Sequence, residues 1–184
     1  MRSHLVHTPP PRFPDVFILP DGTKLFLRPI EAADRDRIQD LFDRLGAESR
    51  YRRYLMPKHE LTESELTFLT DIDHVSHDAL AAVDQRDGSF VGVVRVVRRT
   101  DRPEAADMAI EVADGLQHLG VGSFLVARIL ERARDIGFAT LTATTLRENL
   151  AARALLRRFG FRPSLSAGHE IELERQLTNV ALAA

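Results

Sequence analysis

Residues 105–137 restrict what this chain can fold into more than any other stretch. The first part alternates, with Met108, Ile110 and Val112 on one face and Asp107, Ala109 and Glu111 on the other, which predicts a strand over residues 105–113. The last part, residues 120–136, carries Phe124, Leu125, Ile129 and Leu130 at helical spacing, and Gly137 follows as a C-cap. Between them lies the turn Gln117-His118-Leu119-Gly120-Val121-Gly122. Glycine at the mouth of a helix lets the backbone approach a ligand with no Cβ in the way. The first helical N–H groups lack internal partners and sit at the positive end of the helix dipole. Such a turn cradles a phosphate, or it is an ordinary strand-to-helix connection. It is not a Walker A loop, since no Gly-Lys-Ser/Thr follows, and it lacks the third glycine of a dinucleotide fingerprint.

The remaining pattern places this unit within a mixed α/β arrangement. Asp21-Gly22 marks a tight turn, and alternation over residues 23–30 predicts a first strand. Ile38, Leu41, Phe42 and Leu45 lie at helical spacing within residues 32–45, before Gly46. A short helix is expected over residues 47–55, and Thr62 with Glu65 forms a capping box for another ending near Thr70. Residues 79–84 and 90–99 read as strands joined through Asp87-Gly88. A Thr-rich strand over residues 139–146 follows, then a helix capped by Asn149 and ending at Phe159, and final strands from Phe161 and over residues 169–177. Four prolines within Met1 to Pro14 make residues 1–16 a flexible extension, leaving residues 17–184 as one domain.

Bulk properties narrow the function classes. A net charge of −2 gives no basic field, so neither nucleic acid nor an anionic membrane is an expected partner. With no cysteine, the chain has no disulfide, no thiolate metal site and no acyl-cysteine chemistry. The apolar runs are shorter than a membrane span of roughly 20 residues. The start has no apolar signal region, and the expected location is the cytoplasm.

The pattern Gln117-x-x-Gly120-x-Gly122, followed by Asn149-x-x-Ala152-x-x-Leu155 and then Gly160-Phe161, resembles the GNAT superfamily of N-acyltransferases. The stretches DGTKLFLRPI, AADRDRIQDLFDRLGAESRYRRYL and ADMAIEVAD are similar to the Pat-type protein lysine acetyltransferases of that superfamily. The resemblance covers roughly residues 19–177. It implies a mixed central sheet of about six to seven strands flanked by helices, splayed at the strand pair that admits acyl-CoA. The donor it implies is acetyl-CoA, with no metal, and the acceptor is an amine, a protein lysine being one candidate. It also makes a homodimer plausible.

Residue by residue, the resemblance implies that the backbone of Ile110, Glu111 and Val112 pairs with the pantetheine arm. The loop opened by Gln117 would hold the pyrophosphate through amides of His118, Leu119, Gly120, Val121, Gly122 and Ser123. Asn149 would bond the pantetheine while also capping its helix. The base position of the Pat-type branch falls on Asp107, with Glu111 in reserve. Two departures stand out: His118-Leu119 replaces a cationic loop interior, and Leu156 occupies the position where many GNAT enzymes carry a Tyr acid. Those departures, with Asp107 standing where the Pat-type branch carries Glu, keep open a rival reading, a non-catalytic acyl-CoA sensor or interaction module.

Other clusters carry open alternatives. Asp71, Asp73, His74, His77 and Asp78 form a substrate-facing loop, or an acidic groove suited to a polycation, with linear crowding alone no argument for a metal. Arg50, Arg52 and Arg53 with Tyr51 and Tyr54 either recognise an acidic or protein substrate or form a solvated helix face. Arg153, Arg157 and Arg158 either reach the adenosine phosphate or serve solubility.

Overall fold

The computed structural model describes residues 15–177. The proline-rich start, residues 1–14, lies outside the described residues. Eight strands form one sheet in the order β1 (Val16–Ile18), β2 (Lys24–Pro29), β3 (His77–Asp84), β4 (Phe90–Arg98), β5 (Ala105–Val112), β6 (Thr140–Leu146), β8 (Glu170–Gln176) and β7 (Arg162–Ala167). Every neighbouring pair is antiparallel except β5 and β6, which run parallel. The fold class is the mixed α/β sheet expected from sequence, with one strand beyond the six to seven read there. The added strand is β1, three residues long and too short for alternation to register. It also draws residue 16 out of the expected extension and into the sheet.

Helices cover both faces. On one face α4 (Val121–Ile136) packs Leu125, Val126, Ile129 and Leu130 against Val94 and Val96 of β4 and Met108 of β5. Leu156 of α5 (Leu150–Arg158) joins the same core. On the other face, α1 (Arg35–Asp43) contributes Ile38, Leu41 and Phe42 and α3 (Glu63–Thr70) contributes Leu66 and Leu69. They pack on Ala79 and Ala81 of β3 and Val93 of β4. The period-2 alternation of β4 therefore feeds two cores at once, as a sheet buried on both faces requires. Both cap signals hold: Thr62 accepts from the Glu65 N–H and Asn149 from the Ala152 N–H.

α2 (Ala47–Tyr54) is held over the far ends of β5 and β6 rather than over the centre of the sheet. Its entry is pinned by the Gly46 N–H, which donates to Asp114 Oδ2 at 2.9 Å. A Cβ at Gly46 would sit 2.9 Å from that same oxygen, so a side chain there would displace the Asp114 carboxylate.

Candidate active site

β5 and β6 are paired only from Ala105↔Thr140 to Asp107↔Thr142. Beyond that rung both strands continue, β5 to Val112 and β6 to Leu146, without pairing to each other. The strands have parted, and the β6-facing edge of residues 108–112 carries backbone donors and acceptors with no strand opposite. Hydrogen-bonding groups of this kind seek a partner, so such an edge is a template for an extended ligand.

The opening leads into a cleft of about 500 Å³. One wall is residues 108–112 of β5, another is Ala143, Thr144 and Thr145 of β6, and the floor includes Ala151, Ala152 and Leu155 of α5. At one end lie Gln117, His118, Gly120, Gly122 and Ser123, where α4 begins. Gly120 has φ 92° and His118 φ 61°, left-handed conformations that fold the turn back under the helix. A Cβ at Gly120 would also meet the Phe17 ring at 3.0 Å, and Phe17 in turn stacks on Phe124. Opposite, a Cβ at Gly122 would come within 3.3 Å of a Leu155 methyl group, so the glycine keeps the cleft open. The first intrahelical acceptor is the Gly120 carbonyl, taken by Phe124, which leaves the earlier N–H groups of α4 for a ligand. The residues present therefore fit a diphosphate on an extended arm.

Ile110, Glu111, Val112, Gln117, His118, Gly120, Gly122, Ser123 and Asn149 all line the cleft. Leu119 and Val121 do not: Leu119 is partly exposed and Val121 is buried in the core. Gln117 has a structural task too, donating to the Val112 carbonyl at 3.1 Å and the Asp114 carboxylate at 3.0 Å. Asp114 thus fastens both the loop and the start of α2. Of the three α5 arginines, Arg158 lines the cleft, whereas Arg153 donates to the Arg147 carbonyl at 2.6 Å. Leu156 is buried at the cleft wall.

The two carboxylates of β5 share a pleat face but not an environment. Asp107 is 59% exposed, accepts from Thr142, pairs with Arg99 at 3.1 Å, and is not among the cleft residues. Glu111 is 6% exposed, lines the cleft, and lies 3.4 Å from Arg53 Nε. Arg53 of α2 lies against Glu111, whereas Asp107 is engaged by Thr142 and Arg99. Around Glu111 the structure assembles groups that local patterns do not disclose. Arg95, in register with Ala109, is 2% exposed. Burial, then repulsion from Arg53, lowers its pKa to about 10. Arg95 donates to His77 Nε2 at 3.1 Å. A guanidinium has only donors, so that nitrogen is an acceptor and the ring is neutral. Burial and then Arg95 press the His77 pKa down to about 4. Tyr54 of α2 is pushed up to about 12, by burial first and the Glu111 carboxylate second. The sequence signal for Arg95 is an arginine set between Val94 and Val96 in the apolar run of β4.

The acidic segment near residue 73 does not form a groove. Asp73 turns onto the backbone N–H groups of Val75, Ser76 and His77, and Asp78 is buried between His74 and Arg132. Among the described residues, no group of three or more His, Asp or Glu comes together in a way that would hold a metal. Among them too, no helix is long and apolar enough to cross a membrane.

A parted parallel strand pair, an unpaired strand edge and a phosphate cradle at one mouth suit a ligand that carries a diphosphate on an extended arm. The chain belongs to the acetyltransferase (GNAT) family, whose pattern it matches over residues 39–161. It is an N-acetyltransferase by that membership. It is 30% identical over 145 residues to an acetyltransferase of Pseudomonas aeruginosa, PA5475, spanning 78% of this chain and 77% of that one. The GNAT domain of S. lividans PAT superposes with a TM-score of 0.81 at 28% identity, covering 88% of this chain and 96% of that domain. A further neighbour shares the fold at 16% identity: yncA of Salmonella typhimurium, solved with acetyl-CoA, with a TM-score of 0.69 over 87% of this chain and 98% of that one.

Proposed function

We propose that this acetyltransferase moves an acetyl group from acetyl-CoA to a primary amine by direct attack within a ternary complex, with Glu111 as the proton acceptor. The observation that carries the reading is the parting of β5 and β6 beyond Asp107 and Thr142, which aligns an unpaired backbone edge with the glycine-bearing start of α4. Bound there, the donor supplies an activated thioester carbonyl. The amides of the turn and first turn of α4 hold its diphosphate, Asn149 borders the arm, and residues 108–112 align it as an added strand. The unpaired N–H groups of that edge are the available donors for negative charge developing on the carbonyl oxygen.

The acceptor arrives as an ammonium and must lose a proton before attack. Glu111 supports that role because its carboxylate borders the cleft, with Oε2 buried and lacking a hydrogen-bond partner. Asp107, the base position implied by the resemblance, is engaged by Thr142 and Arg99 and stands at the outer side of the parting. The C–N bond forms as the C–S bond breaks, giving an N-acetyl amide, a free CoA thiol and one released proton. Leu156 supplies no acid for the thiolate, whose basicity is low enough to leave without one.

A protein lysine is one amine within this class. A second reading, donor binding without turnover, draws on the apolar Leu156 at the cleft wall. Calorimetric titration with acetyl-CoA, followed by assay of thiol release on an amine panel, tests both. Micromolar binding with turnover supports transfer. Binding with no turnover on any amine favours the second reading, and no binding overturns both.

A further inference from the structure

We propose that the acceptor carries a carboxylate next to its amine, as an α-amino acid does, and that this carboxylate takes Arg53 away from Glu111 and so frees the base. The inference rests on the transfer reading above and adds the substrate class.

The charges around Glu111 do not balance. Among the described residues, the pocket between α2 and the β4–β5 pair sets two guanidiniums, Arg53 and Arg95, against one carboxylate, Glu111. The other nearby charges are already matched: Lys58 holds Glu65 and Arg52 holds Glu48. Tyr54 is a neutral phenol and His77 a neutral imidazole at ordinary pH. A buried cation without a counter-charge is costly, and donors left unsatisfied add to that cost. Here Arg53 Nε, Arg95 Nε and Arg95 Nη2 are all buried without hydrogen-bond partners. The site is one anion short.

The existing ion pair does not close the gap. Arg53 Nε and Glu111 Oε2 are 3.4 Å apart, yet neither atom makes a hydrogen bond. A fork-shaped guanidinium binds a carboxylate best through two parallel bonds, and this contact makes neither. Arg53 is 15% exposed and, with Arg52 and Ser49, borders the cleft beside Glu111. An anion entering by that route meets Arg53 at the cleft border. Arg95 lies behind, bonded to the Leu69 carbonyl and His77, and keeps the local field positive.

The spacing selects the acceptor. Glu111 and Arg53 lie side by side on the cleft wall, so an acceptor that engages both must carry its ammonium and its carboxylate close together. The incoming carboxylate bonds Arg53, the ammonium faces Glu111, and the base takes its proton once its cationic neighbour has turned to the substrate. An amine lacking the carboxylate leaves Arg53 on Glu111 and the buried donors unpaired, a mismatch that polar sites reject strongly.

The test uses the full chain and acetyl-CoA. Because the sequence has no cysteine, thiol-specific reagents read released CoA with no protein background. Free α-amino acids are compared with their carboxamides and with a lysine peptide blocked at both ends. The expected result is a kcat/KM at least tenfold higher for free amino acids than for matched amides, with the amides losing kcat as well as gaining KM. In Arg53→Met that ratio falls toward one, and in Arg53→Lys it is intermediate. The wild-type panel decides the matter even if a variant does not fold. Equal turnover of acids and amides, or preference for the blocked lysine peptide, overturns the inference and leaves the transfer reading standing. No thiol release from any amine overturns transfer and this inference together.

Discussion

The Thr142 hydroxyl donates to the Asp107 carboxylate across the last rung that joins β5 to β6. One residue further along each strand the sheet has opened into the cleft. The hydroxyl and the flanking Arg99 therefore hold the vertex of the opening closed, while Glu111 lies deeper, under α2. On the proposed reading Asp107 shapes the vertex and Glu111 handles the proton, which separates two variants of otherwise similar chemistry.

Glu111→Gln should lower kcat by about 10²-fold, the lower end of what a positioned general base supplies, with acetyl-CoA affinity nearly unchanged. Asp107→Asn, which keeps a hydrogen-bond acceptor for Thr142, should cost less than tenfold. Steady-state kinetics beside calorimetry measures both. The reverse order would return the base role to Asp107.

Gly122→Leu should weaken acetyl-CoA binding at least tenfold. Its side chain meets Leu155 across the cleft, where even a Cβ has only 3.3 Å. Unaltered far-ultraviolet circular dichroism with lost calorimetric heat is the expected pair of results. Undiminished binding would place the donor elsewhere.

His77 should make stability depend on pH between about 6.5 and 4. Its folded pKa lies near 4, below the ordinary value of 6.5, because burial and Arg95 disfavour the charged ring. Over that window the unfolded chain binds a proton that the folded chain does not. The contribution is thus complete above about 6.5 and is lost as pH falls, with a slope approaching about 1.4 kcal/mol per pH unit. Urea titrations across this range should show that slope reduced in His77→Gln. An identical slope in the variant would assign the effect to other groups.

Arg132→Met should destabilise the fold by about 3 kcal/mol, because it strips a charge partner from Asp78, a fully buried carboxylate. His74 and the Ala79 N–H then remain beside it. Asp78→Asn, which removes the charge as well, should cost less. Chemical denaturation of the two variants gives the comparison.

The legible parts of this protein were those whose causes are local. The strand, turn and helix over residues 105–137 follow from alternation, two glycines and helical spacing within one short window. Thr62 and Asn149 cap their helices because a cap needs only residues two or three positions onward. Asp107 and Glu111 were correctly placed on one strand face, since that needs only the period of two. Their different surroundings were not legible, because which helix lies over a strand is a long-range fact. The basic residues of α2 likewise left two readings open until Arg53 was found against Glu111 and Arg52 at the cleft border, paired with Glu48.

The sequence by itself determined the order of elements, the phosphate-cradling turn and the absence of thiol chemistry, because each depends on residue type and short spacing. The tertiary structure alone decided where β5 and β6 part, which carboxylate meets the cleft, and that Arg53 and Arg95 share one counter-charge. These depend on residues far apart in the chain being brought together, so burial and charge balance come into being only when the two faces of the sheet are packed.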